Sequence, residues 1–261
     1  MLEELLPAGV ACEERFDDPP DALLLEGEAA AMGRGAARRR REHATGRHCA
    51  RVAMARLGLP VAAVGRGSSG EPLWPGGVVG SITHCDGYRA AAVARRAVVV
   101  AIGIDAEPHQ PLPEEVPGLV LVPEERAWIE RLGRSRPETC WDRLVFSAKE
   151  SVFKAWYPAA QRWLGFEDAE ISVDAPSAVF RARLRVPAPQ PLPEALTGRW
   201  LIRDGLVLTA VAVTVDPYVR AQGSRTPDLR RATPPVAGSR AAAPPFPSRT
   251  RCGGWGGCRP G

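Results

Sequence analysis

The 261-residue chain has almost no lysine: of its 34 basic residues, only Lys149 and Lys154 are not arginine. Arginine has been used wherever either cation would serve, so these two positions need a reason of their own. Long apolar runs are absent as well. No stretch of roughly eighteen apolar residues occurs, which excludes a membrane-spanning helix of the usual kind. The opening MLEELLPAGVACEER carries acids where a secretory signal carries bases, and a cytoplasmic protein is expected. The six cysteines form no C-x-x-C pair, which removes zinc-ribbon and dithiol chemistry and leaves reduced, mostly buried thiols. No stripe of interleaved aromatic and basic residues is present, which argues against a nucleic-acid platform.

What is present divides unevenly. Hydrophobic residues make up 45% of the chain, enough for a substantial core. Residues 220–261 hold eight arginines against one acid, Asp228, a local charge of +7, so residues 1–219 carry −3 of the formal +4. The basic balance therefore belongs to the tail and says little about what the folded part binds. That tail is rich in proline and glycine without apolar periodicity, and a disordered segment is expected there.

Upstream, ARRRREHATGRHCARVAMARLG has the composition of a helix closed by Gly58, and a glycine-rich turn follows. VVGSITH, YRAAAVARR and VVVAIGIDAE read as strands. After the proline-rich EPHQPLPEEVPG, two helices are expected at PEERAWIERLG and TCWDRLVFSAKESVFKAWY. Strands return at AEISVD, AVFRARLRV, GRWLIRDG and LVLTAVAVTV. Helix followed by several strands thus occurs twice, which predicts an α+β fold with halves at 1–108 and 109–219.

Three stretches carry candidate chemistry. In AIGIDAEPH, Asp105 and Glu107 alternate along a strand and so share a face. Two carboxylates on one face repel each other and call for a cation; hard oxygen donors of this kind suit magnesium. Two solvated acids at a strand end would give the same string. In FSAKESVFKAW, Glu150 and Lys154 are four apart on one helix face, and Lys149 lies beside them. A third carboxylate and two ammonium groups would complete a phosphoryl-transfer site, whereas an exposed helical ion pair is the ordinary alternative. In GSITHC, Thr83 and His84 end a strand after the glycine-rich WPGGVVGS, which lets backbone approach a ligand. The arginine-rich helix adds Arg39, Arg40, Arg41 and Arg47 as a phosphate clamp or a solvated basic face.

In this order and at these separations, GEPLWPGGVVGSITHCDGY, GIDAEPH and FSAKESVFKAW resemble the 4'-phosphopantetheinyl transferases of the Sfp type, in the enterobactin synthetase component D branch with its actinobacterial members. RWLGFEDAEI and GLVLTAVAV agree downstream, and the resemblance runs from about residue 36 to about residue 215. It implies a pseudo-two-fold pair of similar α+β halves with coenzyme A bound between them. It implies transfer of the 4'-phosphopantetheine arm to a serine of an apo acyl or peptidyl carrier protein, in fatty-acid, polyketide, peptide or siderophore synthesis, with release of 3',5'-ADP. By resemblance, Asp105, Glu107 and Glu150 would hold Mg2+; Glu150 would also take the serine proton, and Lys154 would stabilise the departing phosphate. Arg39, Arg47, Arg66, Thr83, His84, Asp105, Lys149 and Lys154 would contact coenzyme A. A monomer with no nucleic-acid or membrane partner is implied. Two other readings stay open at this point: a different metal-dependent phosphotransferase or nuclease, and a binder of anionic surfaces acting through the arginine tail.

Overall fold

The computed structural model describes residues 1–29 and 37–215. In chain order it contains β1 (Val10–Arg15), α1 (Ala37–Arg56), β2 (Gly65–Arg66), β3 (Pro72–Leu73), β4 (Val78–Cys85), β5 (Tyr88–Arg95) and β6 (Val99–Pro108). There follow α2 (Pro117–Val120), α3 (Pro123–Ser135), α4 (Trp141–Ala160), β7 (Ala169–Asp174), β8 (Val179–Leu184), β9 (Ala195–Arg203) and β10 (Leu206–Thr214). The α+β expectation holds. A three-stranded sheet has the order β1-β5-β4, a five-stranded sheet has the order β6-β10-β9-β8-β7, and every strand pair is antiparallel. β2 and β3 form a separate two-stranded sheet, and each of the two larger sheets carries one twenty-residue helix, α1 on the first and α4 on the second. The strand β1 was not anticipated, because VACEER mixes acids and small residues without a clean alternation. The tail from residue 220, with Cys252 and Cys258, lies outside the described residues.

Strand β6 ends at the residue where the sequence divides into two helix-plus-strand repeats, yet its ladder partner is β10, in the second sheet. On its other edge it meets β4 without a ladder. There the hydroxyls of Ser81 and Thr83, alternate residues of β4, accept the backbone N–H groups of Ile104 and Ala106 at 3.1 Å each. The sheets are therefore stitched by side-chain hydroxyls, which satisfy donors that burial would otherwise strand. Ile102, Ile104 and Ala106 face a core shared with Val79, Ala90 and Ala92 of the first sheet.

The opposite face of β6 carries Gly103, Asp105 and Glu107 and lies under α4. A Cβ on Gly103 would stand 1.8 Å from the Ser151 carbonyl oxygen and 2.7 Å from the Ala155 nitrogen, so only glycine lets this helix settle on the strand. Apolar burial holds it there: Leu144, Val145, Val152 and Trp156 of α4 are fully buried. Buried Lys149 fastens the other side of α4. Its ammonium donates to Val120 O (2.8 Å) and Phe166 O (2.7 Å) and pairs with Glu125 Oε2 (2.8 Å). Glu125 in turn accepts the N–H groups of Val122 and Ile171, tying α3 and β7 to the same point. The four described cysteines are free, and burial pushes the thiols of Cys12 up to about 11 and of Cys49 and Cys85 up to about 12.

Two outcomes follow for thermal and denaturant unfolding. Gly103→Ala is expected to lose about 1–3 kcal/mol through overpacking against backbone that cannot yield. Lys149→Met, which strands buried Glu125, is expected to lose about 3–5 kcal/mol, and adding Glu125→Gln should restore part of the loss.

Candidate active site

Because α4 sits on Gly103, the next two residues of the same strand face meet its side chains. Arg143, Glu150 and Lys154 are seven and eleven residues apart along one stripe of the helix. Lys154 Nζ pairs with Asp105 Oδ1 at 2.7 Å and also donates to Ile104 O (3.1 Å) and Thr83 Oγ1 (3.4 Å). Thr83 Oγ1 lies 3.3 Å from the same Asp105 oxygen. Lys154, Asp105, Thr83 and Glu150 are all buried, so these contacts lie in a medium where charge pairing is strong. Three turns from Lys154 toward the helix start, Arg143 Nη1 donates to Glu107 Oε2 at 2.8 Å. Burial and the neighbouring Asp105 raise the Glu107 carboxyl to about 7, with Arg143 pulling the other way.

On the adjoining surface, α1 presents Arg39, His43 and Arg47 at four-residue intervals, one face of a helix. Arg47 is buried, and burial lowers it to about 10, with Arg66 and Arg51 adding repulsion against the opposing pull of Glu28. Burial also lowers His43, to about 3, and the charges that act on it come from Arg47, Arg66, His84 and Arg39. His84 is lowered to about 4, chiefly by burial, with Lys154, Arg89 and Arg47 adding to the effect against Glu42. Arg66 is brought beside α1 by buried Glu28, which accepts the N–H of Val64 (2.9 Å) and pairs with Arg51 of α1 (2.8 Å). A group of cations that depress one another in this way favours an anion among them.

The structure therefore gathers Arg39, Arg47, Arg66 and His84 around His43. It joins Thr83, Asp105 and Lys154 by hydrogen bonds, and Thr83 and His84, successive residues of β4, set the two groups side by side. Lys149, expected to assist phosphate binding, is not among them: all three of its ammonium protons are taken by Val120, Phe166 and Glu125. Sequence reasoning missed His43, although its spacing from Arg39 and Arg47 was a usable signal, and it missed Arg143, which no pattern distinguishes among so many arginines.

A divalent ion fits part of this arrangement. Asp105 Oδ2 is buried and has no hydrogen-bond partner, an orphaned acceptor that a cation would satisfy. Glu107 is crowded by Asp105 on the same strand face, and the donors are hard oxygens. Among the described residues, however, no three His, Cys, Asp or Glu side chains stand ready around a common point. One oxygen of Asp105 is taken by Lys154 and one of Glu107 by Arg143.

Comparison with known proteins agrees with the geometry. Residues 27–94 match the 4'-phosphopantetheinyl transferase N-terminal domain, and residues 101–203 match the 4'-phosphopantetheinyl transferase superfamily. The chain is 47% identical over 246 residues to 4'-phosphopantetheinyl transferase Svp of Streptomyces mobaraensis, spanning 90% of this chain and 100% of that one. It is 44% identical over 225 residues to 4'-phosphopantetheinyl transferase PptT of Mycobacterium tuberculosis, spanning 82% and 98% of the two chains. Enterobactin synthase component D of Salmonella typhi is 32% identical over 192 residues, spanning 72% and 79%. With a lysine of α4 buried against an aspartate of β6, and with relatives in Streptomyces and Mycobacterium matched over 98% or more of their own length, the chain belongs to the 4'-phosphopantetheinyl transferase superfamily.

Proposed function

We infer that this transferase is a magnesium-dependent holo-carrier-protein synthase of the Sfp type, in the branch of its actinobacterial relatives. It moves the 4'-phosphopantetheine arm of coenzyme A onto a serine of an apo acyl or peptidyl carrier protein and releases 3',5'-ADP. The observation that carries the reading is the pairing of Lys154 with Asp105 at 2.7 Å, buried beside His84 of β4 and the arginines of α1.

Arg39, Arg47, Arg66 and His84 bind the phosphates at the nucleotide end of coenzyme A, and His43 lies among them. Arginine forks bond phosphate oxygens in pairs, and a partly desolvated cluster strengthens those bonds. In the transfer step a bond forms between the serine oxygen and the phosphorus that bears the pantetheine arm. The bond from that phosphorus to the bridging oxygen breaks, and 3',5'-ADP departs. Glu150 takes the serine proton, directly or through water, and Lys154 balances the charge that gathers on the leaving phosphate. Asp105, Glu107 and Glu150 would hold Mg2+, whose contribution is to neutralise pyrophosphate oxygens. Little covalent work is asked of the protein, so alignment and charge supply most of the acceleration.

Incubation with coenzyme A, Mg2+ and a panel of apo carriers, followed by intact-mass measurement, tests the reading. A mass gain of one phosphopantetheine on at least one carrier is expected; no gain on fatty-acid, polyketide or peptide carriers would refute it. Asp105→Ala is expected to abolish transfer in the same assay, because it removes both an oxygen for the metal and the partner of Lys154. Lys154→Arg should lower the turnover rate on the order of 10²-fold, the scale of losing one preorganised electrostatic contact. An unchanged rate in that variant would show that a point cation is not required.

A further inference from the structure

Arg143 makes three hydrogen bonds, and they converge on one short segment. Its Nη1 donates to Glu107 Oε2 (2.8 Å), its Nε to Gln110 O (3.0 Å) and its Nη2 to Pro111 O (3.0 Å). The side chain is only 11% exposed and that of Glu107 12%, so this is an ion pair largely withdrawn from water. The arrangement parallels the one eleven residues further along α4, where Lys154 takes Oδ1 of Asp105 and leaves Oδ2 without a hydrogen-bond partner. In both pairs a cation of α4 holds one oxygen of a strand carboxylate. A carboxylate fixed through one oxygen cannot rotate freely, and its other oxygen is presented in a set direction.

On the reading that Glu107 takes part in holding the divalent ion, we propose that Arg143 is a positioning residue: it grips Oε2 so that Oε1 is presented for the metal. Two opposing effects decide what its removal does. The positive charge of Arg143 repels a second cation, so charge alone predicts tighter metal binding when it is lost. Orientation predicts weaker binding, because Glu107 would then rotate freely and its second oxygen would no longer be held in one direction. Loss of a residue that orients a ligand typically costs about 10–100-fold in metal affinity, and small, rigid Mg2+ is especially demanding of geometry. Orientation is therefore expected to win.

The fold allows the test. The 109–112 segment is fastened to the start of α4 at two other points: the Cys140 N–H donates to His109 Nε2 (3.1 Å), and the Leu112 N–H donates to Asp142 Oδ2 (2.8 Å). Removal of Arg143 thus leaves the segment held, and Asp142→Ala is a matched control that loosens it without touching Glu107. The affinity of Mn2+ for the full chain saturated with coenzyme A, followed by EPR, is to be compared for wild type, Arg143→Gln, Glu107→Gln, the double variant and Asp142→Ala, with melting temperatures in parallel. Arg143→Gln is expected to weaken Mn2+ about tenfold, to add nothing in the Glu107→Gln background, and to raise the KM for Mg2+ in the transfer assay more than it lowers kcat. Arg143→Lys, which keeps the charge and one hydrogen bond, should recover part of the affinity. Unchanged or tighter Mn2+ binding in Arg143→Gln, or an equal effect of Asp142→Ala, overturns the proposal. Should Glu107→Gln itself leave Mn2+ affinity untouched, the assignment of Glu107 to the metal fails first, and the proposal falls with it.

Discussion

The absence of a side chain at Gly103 is the constraint on which the rest depends. A Cβ at this position would overlap the Ser151 carbonyl, so α4 would have to move outward from β6. The spans from Lys154 to Asp105 and from Arg143 to Glu107 would lengthen with it. Apolar burial along α4 supplies the force that presses the helix down, and one glycine decides how far it travels. The chemistry of the site is thus set by packing distance as much as by the identity of its charged groups.

The scarcity of lysine has a physical counterpart in the structure. Both lysines end among three oxygen acceptors: Val120 O, Phe166 O and Glu125 Oε2 for Lys149, and Asp105 Oδ1, Ile104 O and Thr83 Oγ1 for Lys154. An ammonium has three protons to give, and a guanidinium has five in a flat fork. A buried fork in either place would leave donors unmet, at the cost of desolvating them for nothing. Where the acceptors are spread around a segment edge, as they are for Arg143, the fork is the better shape. One of the two lysines is architectural and the other faces the site, a difference that composition alone could not reveal.

Much of this was legible in the chain. D-x-E on a strand and K-E-x-x-x-K on a helix place their side chains by simple periodicity, and both periodicities hold in the folded molecule. What escaped were features defined by tertiary distance. Arg143 is one arginine among thirty-two, and nothing in its neighbours says that it will meet Glu107. Glu125 is the partner of Lys149 across twenty-four residues and a turn, a pairing that local spacing does not encode. Strand β1 is held by its ladder to β5 rather than by its own alternation, so its sequence reads weakly. The allegiance of β6 was hidden for a similar reason: its apolar run suits either sheet, and only hydrogen bonding to β10 decides between them.

The stitching of β4 to β6 by hydroxyls bears on how the molecule avoids unwanted company. Each of these strands terminates its own sheet, and a terminating strand ordinarily exposes a row of unmet N–H and C=O groups that can recruit an extended segment from another molecule. Ser81 and Thr83 occupy two of those donors on β6 from within, so the two open borders shield each other from intermolecular association. The same seam that sets Thr83 against Asp105 thereby serves as a guard against aggregation.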